Sequence, residues 1–197
     1  MDFMSLQGAT IGSFGLGKPF LCNGANFAYE KKFFQELNGF SGNASIASGD
    51  DVFLLQKAVA KSRKQVHYLK SREAIVITKP AGSWLELFYQ RVRWASKASS
   101  YSSDFGEALS WIVFLGNLSL VFLFGLAIAE LFEWKIVSVM FLLKFVVDYI
   151  LMLLANGFLN KSRFIFPLFS SILYPFFSVA AAVYSAFGKY EWKGRKH

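Results

Sequence analysis

Two short motifs hold the residues of this sequence that could perform chemistry. The first, Gly49-Asp50-Asp51, opens a predicted helix. A carboxylate of this pair could act as a general base that takes the proton of an attacking hydroxyl. The alternative is that both aspartates only cap the helix, where they accept backbone N–H bonds and suit the positive end of its dipole.

The second motif is Gln90-Arg91-Val92-Arg93-Trp94, on a later helix just before the apolar part of the chain. The guanidinium groups of Arg91 and Arg93 offer forked donors to a diphosphate, and the face of Trp94 can stack on a sugar ring. The alternative is that the arginines reach lipid headgroups while the tryptophan favours the membrane interface. This motif is more specific than the aspartate pair.

The elements that position these motifs lie in a first half of mixed composition, residues 1–82. Short apolar runs at 20–29, 66–69 and 74–78 predict strands, and apolar residues at helical spacing predict helices over 30–37 and 50–61. This alternation of strand and helix predicts an α/β fold. The first twenty residues have no basic segment followed by an apolar core, so we predict no signal peptide there.

A third helix is predicted over 84–98, with Ser83 as its N-cap and Glu86 completing a capping box. The helix is aromatic, rich in arginine and amphipathic, and it comes directly before an apolar region. These properties are typical of a helix that lies in the plane of the membrane interface. We therefore assign residues 83–105 to an interfacial helix that carries the second motif.

The rest of the chain is almost continuously apolar. Residues 106–187 contain three candidate transmembrane helices at 109–132, 136–158 and 164–187, each long enough to cross a bilayer, and a basic tail, 188–197, follows. The fold is therefore α/β plus transmembrane α. Hydrophobic residues make up 54% of the chain, which is too high a share for an ordinary soluble domain.

The positive-inside rule settles the topology only in part. It places the basic first half and the loop with Lys161 and Arg163 in the cytoplasm, on either side of two spans. A third full crossing would then put the basic tail outside. Either the tail is an exception to the rule, or the third segment is broken or re-entrant near Pro175.

The charge balance restricts the partners. Lys and Arg number 21 against 13 Asp and Glu, a formal net charge of +8. Anionic lipid headgroups or a phosphorylated ligand would account for this excess, and the apolar half argues against nucleic acid. The single cysteine, Cys22, excludes an internal disulfide and a metal site built from several cysteines.

Three motifs together resemble those of membrane-integrated family 2 glycosyltransferases, which include cellulose, chitin and hyaluronan synthases and bacterial lipid and exopolysaccharide glycosyltransferases. Asp50-Asp51 resembles the acidic pair of the family, and Gln90-Arg91-Val92-Arg93-Trp94 matches its Gln-Gln/Arg-x-Arg-Trp motif. Phe20-Leu21-Cys22-Asn23-Gly24 lies where the family has an acceptor loop, and the match there is partial. The resemblance covers the C-terminal half of such an enzyme.

The resemblance implies a GT-A, Rossmann-like catalytic domain and inverting transfer from a nucleotide-activated sugar to a lipid or polysaccharide acceptor. The second member of the acidic pair, Asp51, would be the base, and Asp50 would support the local geometry. Cys22, Asn23 and Gly24 would form a possible acceptor loop, and the second motif would bind the diphosphate and the acceptor. Mg²⁺ or Mn²⁺ would be held by an Asp-x-Asp motif, which this sequence lacks. We therefore expect a fragment that is inactive alone, has no metal ligand of its own, and belongs to an integral protein of the cytoplasmic membrane with its catalytic part in the cytoplasm.

The rival hypothesis is a non-catalytic membrane protein, either an assembly subunit or a small transporter. Lys144 and Asp148 are four residues apart inside the second span and can pair on one helix face. Charges within a membrane span indicate a function, but a neutralised structural pair is about as plausible. Asn117 and Asn156 could form hydrogen bonds between spans.

Overall fold

The computed structural model describes residues 2–42, 49–98, 103–159, 167–188, 191–192 and 195–196. The described residues are mostly helical. The helices are α1 (Asp2–Gly15), α2 (Lys31–Glu36), α3 (Asp50–Ser62), α4 (Trp84–Ala98), α5 (Asp104–Ile128), α6 (Trp134–Leu159) and α7 (Pro167–Phe187). Two short 3-10 turns cover Gly24–Asn26 and Arg63–Gln65. Near the C-terminus β1 (Glu191–Trp192) pairs antiparallel with β2 (Arg195–Lys196).

The predicted α/β, Rossmann-like domain is wrong. In the part of the chain that the structure describes, residues 20–29, 66–69 and 74–78 form no strands and no layered sheet is present. Ile77 is 92% exposed, which is incompatible with a core strand. The prediction failed because apolar runs this short do not specify a strand by themselves, since a strand also needs a hydrogen-bonded neighbour.

Helix α1 was not predicted from the sequence, and it packs against the apolar helix α6. A Cβ atom added to Gly8 would lie 3.0 Å from a methyl carbon of Leu151 and 3.3 Å from Ala155. The glycine therefore allows the two helices to approach closely. This contact joins the start of the chain to the second apolar helix.

A small apolar core holds α2 and α3 together, and both helices match the predicted helices at 30–37 and 50–61 to within a residue or two. Asn38 and Gly39 follow α2 in left-handed conformation and end it. Lys57 of α3 donates to the carbonyl oxygens of Gly39 and Ser41, at 2.8 and 2.6 Å. The core consists of Leu37, Leu54, Leu55, Ala58 and Val66.

The capping box of α4 is confirmed with one difference. The Ser83 hydroxyl accepts from the Glu86 backbone N–H at 3.1 Å, and the Glu86 carboxylate accepts from the Gly82 N–H rather than from that of Ser83. The helix packs along α7 through aromatic edge contacts of Phe88 and Tyr89 with Tyr184. Its placement in a membrane interface stays a prediction.

Three helices are long and apolar enough to span a bilayer: Asp104–Ile128, Trp134–Leu159 and Leu168–Phe187. Large apolar side chains on α5 and α6 point outward, among them Phe122 and Leu154, which suits contact with lipid. The chain is thus compatible with a membrane protein. The third helix runs unbroken through the buried Pro175, so the described residues do not show the broken segment considered above. Lys161, Arg163 and 164–166 lie outside the described residues.

Lys144 and Asp148 form the predicted ion pair on α6. The Lys144 ammonium also lies 5.3 Å from the centre of the Tyr174 ring on α7. Asn117, by contrast, donates to the Val113 carbonyl of its own helix, so this bond does not join two spans as predicted. Lys144 thus pairs within α6 and also contacts α7.

Candidate functional site

The loop from Phe20 to Asn26 is fixed at both ends. Phe20 is buried, its ring packs edge-on against Phe105 at 5.7 Å, and a Cβ atom on Gly106 would come within 2.7 Å of it. At the other end, the Asn26 side chain donates to the carbonyl oxygen of Ala74. The Asn23 side chain accepts from the Ala25 N–H at 3.0 Å and so caps the short turn Gly24–Asn26. These contacts hold the backbone of the loop in place.

Asp51 joins this loop to the start of α3. One carboxylate oxygen accepts from the Gly24 N–H at 2.6 Å, across 27 residues of sequence, and the other accepts from the Val52 N–H at 2.9 Å. Gly49 begins the helix in left-handed conformation without a side-chain cap. A capping role confined to α3 does not account for Asp51, because its carboxylate also binds the loop of the partial acceptor motif.

Cys22 lies close enough to Asp51 for the carboxylate to affect the ionisation of the thiol. Burial, and to a smaller extent the negative charge of Asp51, raise the pKa of the Cys22 thiol well above its ordinary value. The thiol is therefore neutral at physiological pH and is a poor nucleophile. Its place in the site is that of a small, polarisable side chain beside the carboxylate.

The C-terminal half of α4 brings cations to the same place. Lys97 is only 3% exposed, and it interacts electrostatically with Arg93, Asp51 and Asp50. Burial, followed by repulsion from Arg93, lowers the pKa of Lys97 to about 8, while the two carboxylates act in the opposite direction. Lys97 of the arginine helix is thus within electrostatic reach of the aspartate pair.

The other residues of the second motif are arranged differently. The Arg91 guanidinium lies 4.3 Å from the centre of the Trp94 ring, a cation–π contact within one helix turn. Gln90 shares the face of Arg93 through its spacing of three residues. Arg93 therefore interacts with Lys97, whereas Arg91 contacts the tryptophan.

Lys97 is the residue of this site that the sequence predictions missed. It follows Arg93 by four residues, so helical spacing places both cations on one face of α4. That spacing was the available signal. What the sequence did not show is that Lys97 would be buried within electrostatic reach of the two carboxylates at the start of α3.

The arrangement could remove a proton from a hydroxyl group and stabilise the negative charge of a leaving group. Asp51 is held by two backbone N–H groups and could accept a proton from a hydroxyl placed next to it. Arg93 could stabilise negative charge that develops on a leaving group. The described residues contain no group of three or more His, Cys, Asp or Glu that could hold a metal ion.

Comparisons with known proteins add no family. No protein-family model matches the chain, and neither a curated protein nor a solved structure matches it significantly. The glycosyltransferase resemblance therefore rests on the three motifs alone.

Proposed function

We propose that the chain takes part in inverting glycosyl transfer from a nucleotide-activated sugar to a lipid or polysaccharide acceptor at the cytoplasmic face of a membrane. The observation that carries the proposal is the contact between two motifs that are far apart in sequence. The Gly24 N–H of the loop donates to Asp51, and Lys97, one turn after Arg93 on α4, interacts electrostatically with both aspartates. A chance similarity of separate short motifs would not by itself bring them together.

In this mechanism Asp51 takes the proton of an acceptor hydroxyl while the hydroxyl oxygen attacks the anomeric carbon of the donor sugar. The bond from that carbon to the diphosphate breaks, and the electron pair leaves with the diphosphate. Arg93 stabilises the charge that the diphosphate gains, with Gln90 on the same helix face. Trp94, held by Arg91, shapes the acceptor site through its ring.

Mg²⁺ or Mn²⁺ is the metal that this chemistry implies, and the residues of this chain do not fit it. The sequence contains no Asp-x-Asp motif, and both oxygens of Asp51 already accept backbone N–H bonds. Hard divalent cations need several oxygen ligands. We therefore derive no step through a metal here, and residues outside this sequence would have to bind it.

The proposal is tested with membranes that contain the protein expressed from its complete reading frame. They are incubated with radiolabelled nucleotide sugars, and label in lipid and polysaccharide is counted. We expect transfer by the unmodified protein and a loss of about 10²- to 10⁴-fold for Asp51→Asn, the usual contribution of a general base.

Asp104→Asn is the matched control, because Asp104 also lies in the first turn of a helix, outside the three motifs. It should leave transfer unchanged. Undiminished transfer by Asp51→Asn would remove Asp51 from the role of base. The absence of transfer from any nucleotide sugar would favour the non-catalytic membrane protein instead.

A further inference from the structure

The segment of residues 69–79, called here the basic loop, lies against one end of α6. The Arg72 guanidinium donates to the Gly157 carbonyl oxygen at 3.4 Å, and the Lys70 ammonium lies 5.5 Å from the centre of the Phe158 ring. Gly157 and Phe158 belong to the last turn of α6, where backbone carbonyl groups have no partner within the helix. The basic loop is therefore placed at one end of a candidate membrane span.

A second contact holds the basic loop to the first half of the chain. The Asn26 side chain donates to the carbonyl oxygen of Ala74, in the middle of the loop. The backbone of the loop also turns here, since the Ile75 N–H donates to the Arg72 carbonyl oxygen at 3.2 Å. The loop is thus attached both to the turn Gly24–Asn26 and to α6.

The basic loop carries net positive charge. Lys70, Arg72 and Lys79 are exposed, and the loop has one carboxylate, that of Glu73, which accepts from the Ser71 hydroxyl. Helix capping accounts for part of this charge, because cations suit the negative end of the α6 dipole. Capping does not explain why the apolar side chains of the same loop are exposed.

The apolar side chains of the basic loop do not pack into a core. Ile77 is 92% exposed, Leu69 is 72% exposed and Val76 is 52% exposed. Single exposed apolar residues are ordinary on a protein surface, but these three share one short segment with three cations. A surface of this kind suits the boundary of a bilayer, where cations reach lipid phosphates and apolar side chains reach the acyl chains.

We propose that the basic loop binds the headgroups of anionic phospholipids at the end of α6. Lys70 and Arg72 bind the lipid phosphates, and Leu69 and Ile77 enter the outer part of the acyl layer. The positive charge favours anionic over zwitterionic lipid, and the exposed apolar side chains favour a lipid over a free phosphate, which would gain nothing from them. The proposal takes α6 as a membrane span and does not depend on glycosyl transfer.

The first test measures lipid selectivity with the full chain, stripped of lipid, in detergent. Phosphatidylglycerol or phosphatidylcholine with the same acyl chains is titrated in, and bound lipids are counted by native mass spectrometry. Each basic residue near an anionic surface strengthens binding by about 5-fold. Lys70→Gln/Arg72→Gln should therefore weaken phosphatidylglycerol binding by about 25-fold and leave phosphatidylcholine binding unchanged.

Matched variants show whether the position of the charge matters. Lys31→Gln/Lys32→Gln removes the same charge from the exposed start of α2 and should keep the wild-type preference for phosphatidylglycerol. Lys70→Arg/Arg72→Lys keeps the charge of the loop and should also keep the preference. Lys70→Gln alone leaves the Arg72 bond to α6 intact and should weaken phosphatidylglycerol binding by about 5-fold.

Three results of this titration would overturn the proposal. The first is equal phosphatidylglycerol binding by the wild-type protein and Lys70→Gln/Arg72→Gln. The second is the same loss of binding in Lys31→Gln/Lys32→Gln, which would show an effect of net charge alone. The third is displacement of phosphatidylglycerol by millimolar inorganic phosphate, which would indicate a site for free phosphate rather than a lipid surface.

The second test examines the apolar part of the basic loop without changing its charge. In a Cys22→Ser background, Ile77→Cys is labelled with nitrobenzoxadiazole, and the protein is placed in nanodiscs of phosphatidylglycerol with brominated acyl chains. We expect the fluorescence at position 77 to be quenched relative to nanodiscs of unbrominated lipid, and the same label on Lys32→Cys to be unaffected. Fluorescence at position 77 that bromine does not quench would overturn the proposal, and neither test requires sugar transfer.

Discussion

Replacing Lys97 by methionine should remove one pH-dependent part of the stability of this protein. Methionine has a similar length but no charge, so it keeps the packing of α4 and deletes the titration. The relevant quantity is the difference between the pKa of Lys97 in the folded protein, about 8, and its ordinary value of 10.5. Below pH 8 both the folded and the unfolded chain carry the proton, and the titration adds nothing to stability.

Between pH 8 and 10.5 the unfolded chain holds the proton and the folded chain releases it, so the free energy of unfolding rises with pH. At about 1.4 kcal/mol for each pH unit of difference, the gain is at most about 3 kcal/mol. In a chain of this length, that corresponds to a rise in melting temperature of roughly 6 to 12 °C. Lys97→Met should lack this gain.

The measurement is thermal unfolding in detergent micelles from pH 7 to 10.5, followed by tryptophan fluorescence. Other groups titrate in this range, so the relevant quantity is the difference between wild type and Lys97→Met at each pH. Lys64→Met, an exposed lysine, is the control and should follow the wild-type curve. Parallel pH dependences for wild type and Lys97→Met would show that the ammonium is not desolvated and would refute the reasoning.

Three further predictions concern packing and use unfolding in detergent as the measurement. On α5, Gly106→Ala should be less stable than Gly116→Ala by about 1–3 kcal/mol, because an added Cβ atom meets Phe20 at position 106 and nothing within 4 Å at position 116. Equal stabilities of the two variants would contradict this prediction. Lys144→Leu should lower the free energy of unfolding by about 3 kcal/mol, because it leaves Asp148 unpaired. The double variant Lys144→Leu/Asp148→Leu should recover most of this loss. A double variant that is no more stable than the single one would contradict the pairing. Lys57→Met should cost about 1–3 kcal/mol through two lost bonds to carbonyl oxygens, whereas an unchanged midpoint would show these bonds to be dispensable.

Helices α2 to α7 were predictable because each has a signal that is local in sequence, whereas α1 was missed. The capping box at Ser83 and Glu86, the left-handed stop at Asn38 and Gly39, and the long apolar runs all act within one element. The strands were not predictable, since a strand depends on a partner elsewhere in the chain. The extended segment around Ile77 is apolar, yet it remains exposed without one.

For the same reason, only part of the candidate site was predictable from the sequence. Asp51 and Arg93 were candidates from the sequence because each lies in a short motif whose residue types can perform chemistry. The bond between Asp51 and Gly24, and the burial of Lys97, depend on how α3, α4 and the loop pack, and nothing local encodes them. The sequence therefore predicted the charged groups, and only the fold showed which of them share a position.

The apolar helices also help to hold the candidate site together. Phe20, at the start of the loop that binds Asp51, packs against the first turns of α5, while α4 packs along α7 through Phe88 and Tyr184. Because α5 and α7 also contact each other, the loop and the arginine helix are joined through the apolar helices. A shift of α7 against α5 would move Lys97 relative to Asp51. The geometry of the candidate base is therefore set by the packing of the same helices that are suited to contact lipid.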